Sequence, residues 1–145
     1  MEMISAEEKN VIAARMVDGE DFFEKLKEVI KKHKIHSAAI VGCIGMMKDV
    51  ELLYFKGGGK YAVNSYKGPL ELVSLQGNIG TKEETGEPLI HCHALLSNDE
   101  NAVVGGHLSK ATVSTTNELF IIRLERVQVK RNFEDSTGLY GMNLK

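Results

Sequence analysis

Three histidines carry the chemistry that this sequence offers most directly. His91 and His93 stand two apart in Leu89-Ile90-His91-Cys92-His93-Ala94-Leu95-Leu96. A strand puts both on one face, about 7 Å apart along it. Ile90, Cys92, Ala94 and Leu96 then fall on the opposite face, which suits a core. His107, in Gly105-Gly106-His107-Leu108, follows the polar segment Ser97-Asn98-Asp99-Glu100-Asn101, a hairpin signal. With the turn centred on Asp99, His107 lies across from His91, with Cβ atoms about 5 Å apart. Gly105 then lies across from His93 and leaves space beside it. A register shifted by two residues keeps the three histidines on one face; a shift of one sends His107 to the other.

Neutral imidazoles suit zinc, nickel, copper or iron, and three protein ligands leave one coordination position open. The expected site is therefore His91, His93 and His107 around a divalent transition metal, zinc first. The bland alternative is three polar side chains on a solvated sheet face. His33 and His36 fit that alternative, at a helix end and a strand start with no partner in view. Cys92 alternates inward, and both it and Cys43 read as small buried hydrophobes. Glu71, in Leu70-Glu71-Leu72-Val73-Ser74-Leu75, alternates with apolar residues and is expected to share a face with Val73 and Leu75. A carboxylate there wants a partner, and Arg15 is the candidate for a structural ion pair.

The elements that position these residues are mostly strands. One helix is clear: Phe22, Phe23, Leu26, Val29 and Ile30 form a stripe. Asp21 stands at its N-cap and Glu24 follows three later, close to a capping box. Lys25, Lys27, Lys31, Lys32 and Lys34 read as a solvated face and a C-terminal end that suits the dipole; their other reading is a phosphate-contacting patch. Strands are expected over 11–17, 37–44, 50–55, 61–66, 70–79, 89–96 and 102–108, with one or two more between 112 and 129. Lys56-Gly57-Gly58-Gly59-Lys60 marks a hairpin, and 81–87 a polar loop. Gly42-Cys43-Ile44-Gly45 and Gly77-Asn78-Ile79-Gly80 echo each other at strand ends, too briefly for a duplication. Many strands with short loops and one early helix argue for an α+β domain on a largely antiparallel sheet.

The 145 residues are the size of one domain, so residues 1–145 are read as a single unit. At 43% hydrophobic, such a chain can bury a core without a structural metal. A net charge of −2 lacks the cation excess of a free-standing nucleic-acid binder. No apolar run approaches membrane-spanning length, the N-terminal residues are too acidic for a signal peptide, and two cysteines give no disulfide framework. A soluble protein of the reducing cytoplasm is the expectation.

Three segments together carry a family likeness: Leu70 to Ile79, Pro88-Leu89-Ile90-His91-Cys92-His93, and Gly105-Gly106-His107-Leu108. With Arg15 and Gly19-Glu20-Asp21 ahead of the helix, the chain resembles the PPC domain family over almost its whole length. The resemblance implies a compact α+β fold around a strongly bent antiparallel sheet with one main N-terminal helix. It also implies a homotrimer and a metal held at the positions of His91, His93 and His107. The family often carries a DNA-binding label, taken from plant nuclear proteins in which a separate AT-hook built on Arg-Gly-Arg-Pro holds the minor groove. This chain has no such motif, so DNA is expected to be at most a weak partner of the domain alone, with steep salt dependence.

Two functions follow as expectations. One is a trimeric metal-binding module. The other is a metal-dependent enzyme, in which the open position activates water or polarises a carbonyl or phosphoryl group. A base would then come from Glu71, Glu100 or Glu118; Arg15, Glu71 and Glu118 are otherwise expected as supporting polar residues. The cupin pattern also begins with His-x-His, but expects a glutamate shortly after, and Ala94 to Asn98 supplies none.

Overall fold

The computed structural model describes residues 2–145. Among the described residues one helix, α1 (Phe22–Lys32), lies among nine strands: β1 (Ile4–Glu8), β2 (Val11–Val17), β3 (Ala38–Gly57), β4 (Lys60–Tyr66), β5 (Leu70–Lys82), β6 (Pro88–Ser97), β7 (Val103–Arg123), β8 (Val129–Glu134) and β9 (Leu139–Leu144). The helix starts where its cap dictates, with the Asp21 carboxylate accepting from Glu24 N at 2.9 Å. Phe22, Leu26, Val29 and Ile30 turn inward, and Lys31 and Lys32 end it.

All nine strands join one bent sheet, antiparallel except where β8 runs parallel to β5 at Thr81–Lys130 and Lys82–Arg131. Two strands are far longer than the sequence pattern suggests. β3 joins the expected segments 37–44 and 50–55 into 20 residues, and β7 joins 102–108 to 112–123 in 21. Register shifts along the β3–β7 pairing, between Ile40 and Gly42 and again between Gly45 and Leu52, let both strands bend without breaking. Each end of β7 therefore meets a different neighbour: β6 near its start, β2 near its end.

Within this sheet, β3 pairs with β5 and β7, β5 with β6, and β6 with β7. These four strands close into a ring. Its interior and the face under α1 form one core, including Phe22, Met47, Leu72, Leu75, Leu96, Leu108, Leu119 and Ile121. The free face of the sheet carries Arg15, Glu118 and Ile44 side by side, and Phe120 beside Ala13 and Gly42.

The structure corrects the reading of Glu71. A bulge between Leu72 and Ser74 exchanges the faces, so Glu71 and Val73 are exposed while Leu75 is fully buried. Glu71 forms no ion pair among the described residues. Arg15 lies opposite Glu118 on β7, and its Nε donates to Thr116 Oγ1 at 3.3 Å. His33 is also not partnerless: it caps α1, with its ring 3.0 Å from Ser5 Oγ and 3.2 Å from Glu7. β1, which brings those partners, was not anticipated from its short, polar sequence, and neither was the β8–β9 hairpin.

Candidate metal centre

β6 supplies His91 and His93, and β7 supplies His107. Alternation on β6 works as the sequence implies: Cys92 and Ala94 are buried while His91 and His93 face out. The hairpin register differs by two residues from the one expected. His107 lies across from His93, Gly106 from Ala94, and Gly105 from Leu95. The turn centres on Glu100 rather than Asp99, organised by Asn98, whose carboxamide oxygen accepts from Glu100 N and Ala102 N, and this moves the pairing. A two-residue shift preserves the face, so the triad survives. The open space at Gly105 serves Leu95, whose Cδ2 would meet a Cβ there at 2.5 Å.

The ring centroids lie 5.1 Å (His91–His93), 5.3 Å (His91–His107) and 5.7 Å (His93–His107) apart. Each ring offers a nitrogen within 4.8 Å of the other two. The Nε2 atoms of His91 and His93 are 3.2 Å apart. Zinc–nitrogen bonds of about 2.0–2.1 Å in a tetrahedron put ligand nitrogens about 3.3 Å apart. That pair is therefore spaced as a metal would hold it, His107 offers a third nitrogen within 4.8 Å of both, and the residues present fit the ion. Arg15, Glu71, Glu100 and Glu118 are not part of this cluster.

The electrostatics favour the ligand form. Burial holds the His91 ring down to about 4, with the neighbouring charges of His107, His93 and Arg131 adding to it. Burial, then His93, also lowers His107. Neutral imidazole is the form that binds metal. The same rings in an unfolded chain titrate near about 6.5. Because the folded values are the lower ones, acid favours unfolding: the contribution is present above about 6.5 and lost as pH falls toward about 4. Urea midpoints of metal-free protein should fall across that window, and fall less steeply in His91→Asn.

Beside the triad lies a cavity of about 450 Å³, walled by Tyr61, Leu89, His91, His107, Arg131 and Tyr140 among others. The Tyr61 ring sits 5.9 Å from that of His107. Arg131 and Tyr140 come from β8 and β9, which sequence reasoning missed. The one local signal for this hairpin was the turn at Gly138; the strand before it, Val129-Lys130-Arg131-Asn132-Phe133, is too polar to show an apolar alternation.

Residues 3–125 match the family described as the Plants and Prokaryotes Conserved (PCC) domain. The chain belongs to this family. Among solved structures, it is similar to a plant- and prokaryote-conserved (PPC) protein of Pyrococcus horikoshii, with 31% identity, a TM-score of 0.80, and 96% of this chain and 94% of that one covered. It is similar to a metal-containing protein of Archaeoglobus fulgidus, with 29% identity, a TM-score of 0.82, and 98% and 96% covered. A candidate DNA-binding protein of Bacteroides thetaiotaomicron shares the fold at 19% identity and a TM-score of 0.86, over 97% of this chain and 96% of that one. No curated protein matches the chain. The PCC assignment ends at Glu125, so Arg131 and the rest of the β8–β9 hairpin lie beyond the matched residues.

Proposed function

We propose that this PCC domain protein is a trimeric metal-binding protein, with His91, His93 and His107 of each chain holding one divalent transition metal, zinc first. The observation that carries the reading is the convergence of three imidazole nitrogens within 4.8 Å on the exposed side of a pinned strand. The metal-containing Archaeoglobus fulgidus protein supports it. A bound zinc ion would supply Lewis acidity at the position that three protein ligands leave open. The chain itself supplies the neutral rings, their orientation, and an adjoining cavity. That cavity favours the metal-dependent enzyme as the second reading.

The free sheet face supports assembly. Ile44, Val73, Leu95 and Phe120 are 47–57% exposed on it, a larger display of apolar side chains than a solitary sheet face needs. No helix is long and apolar enough to cross a membrane. The two free, buried cysteines support a reducing compartment such as the cytoplasm. A DNA-binding role draws support only from the label on proteins that share the fold. Lys27, Lys31 and Lys34 sit along one groove with His36, but Lys27 and Lys25 are paired with Glu24 and Glu28, which weakens that face as a phosphate site.

The test is made on protein purified without a histidine tag. Metal analysis should return close to one zinc per chain, and light scattering a mass of three 16.0 kDa chains. Phe120→Asp should give monomers that keep their zinc. A metal-free wild type, or a monomeric one at micromolar concentration, would overturn the corresponding half of the reading.

A further inference from the structure

Arg131 is in an unusual position for a cation. It is 5% exposed, yet no carboxylate pairs with it among the described residues. Its Nη1 donates to Tyr140 O at 3.3 Å and its Nη2 to the Asn78 side-chain oxygen, while its Nε has no partner. Both acceptors are neutral. A guanidinium does not escape this situation by losing its proton. Buried charges are ordinarily paired, because an unpaired one forfeits its solvation with nothing in return.

The surroundings show where the missing charge belongs. Arg131 lines the cavity beside the triad, together with His91 and His107. The acid on that lining, Glu134, is exposed and engages Thr137, whose Oγ1 lies 3.4 Å from it. The other walls are largely apolar or aromatic: Tyr61, Leu89, Ile90, Leu139 and Tyr140. The cavity thus combines one uncompensated cation, an apolar body, and two of the three candidate metal ligands on a shared wall.

We infer that this cavity binds a small organic carboxylate, its anionic group held by Arg131 and its apolar part against Tyr61 and Tyr140. Guanidinium and carboxylate match in geometry as well as charge. A molecule so placed lies against His91 and His107, and therefore beside the metal, so the inference deepens the metal-site reading by naming a ligand class. It also stands without it, because the Arg131 environment does not depend on an ion.

The probes are benzoate, its neutral analogue benzamide, and inorganic phosphate, titrated into full-length protein whose zinc content is measured first. Calorimetry should show benzoate binding at least tenfold tighter than benzamide. Arg131→Gln should abolish that preference while zinc content stays at the wild-type level. Should Arg131→Gln fail to fold, Asn78→Asp serves instead: it places a carboxylate against the guanidinium, and should weaken benzoate at least tenfold in a folded protein. Benzamide binding as well as benzoate, either variant binding benzoate like wild type, or phosphate outcompeting benzoate would each overturn the proposal. If the wild type holds no zinc, the metal reading fails by itself. An Arg131-dependent preference for benzoate in that metal-free protein would still support the carboxylate site.

Discussion

Replacing His107 by Ala is expected to strip the protein of the proposed zinc ion while leaving it folded. In the proposed site His107 is the one candidate ligand from β7, and its nitrogen would complete a set that His91 and His93 cannot close alone. Two histidines from one strand hold an ion far less tightly than three from two strands. Altering groups that merely support ligands costs 10–100-fold in affinity, so the loss here should exceed about a hundredfold. The fold should survive because the ring is half-exposed and the core beneath is built by Leu108, Ala94 and Cys92. Competition against a chromophoric chelator reads the affinity, and circular dichroism the fold. Wild-type affinity in His107→Ala would mean that the cluster is a solvated row of polar side chains and nothing more.

The second large effect is expected from a residue that touches no metal. A Cβ at Gly77 would come within 2.7 Å of Cys92 Cα and would press on the His91 carbonyl. These are backbone atoms of the strand paired with it, and they cannot swing aside as a side-chain tip can. Gly77→Ala must therefore prise β5 from β6 at the residue pair beside His91. Overpacking of this kind costs typically about 1–3 kcal/mol, and the upper end is expected because the contact is rigid. Urea unfolding should show that loss, and zinc affinity should drop with it, since the displaced backbone carries His91. Unchanged values for both would show that β5 and β6 have slack at this point.

The limits of the sequence reading lie in the same geometry. The start of the helix was legible, because its cap and stripe are local signals: Asp21, Glu24, and Phe22 through Ile30. The outward histidines were legible for the same reason, since alternation with Cys92 and Ala94 is local. Pairing was harder. The Asn98 side chain sets the β6–β7 register, and counting from the middle of a polar loop missed it by two residues. The triad outlasted that error only because two is the period of a strand. Glu71 had no such protection: the Leu72–Ser74 bulge shifts by one, and exchanged the faces. Arg131 was out of reach because nothing near it in the chain explains it; its partners Asn78 and Tyr140 come from other strands. The likeness to the PPC domain supplied the family, which the match over residues 3–125 bears out.

The attachment of the β8–β9 hairpin sets a division of labour in time. β6 is bonded on both sides within the closed ring, so the histidine strand opens only when the whole ring does. The hairpin that carries Arg131 and Tyr140 is tied at its base by two residue pairs to β5, by Glu83 N donating to Arg131 O and by Val129 N donating to Ser37 Oγ, and at its tip by the Gly59 N–H donating to Thr137 O. Hydrogen exchange should divide accordingly, with β6 amides the slowest to exchange and those of β9 much faster. On that outcome the cavity has one wall on a strand paired along both edges and the other on a hairpin held by fewer pairings. Small molecules would then come and go by local opening of the hairpin, far faster than global unfolding, while the ring strands keep the three imidazoles in place.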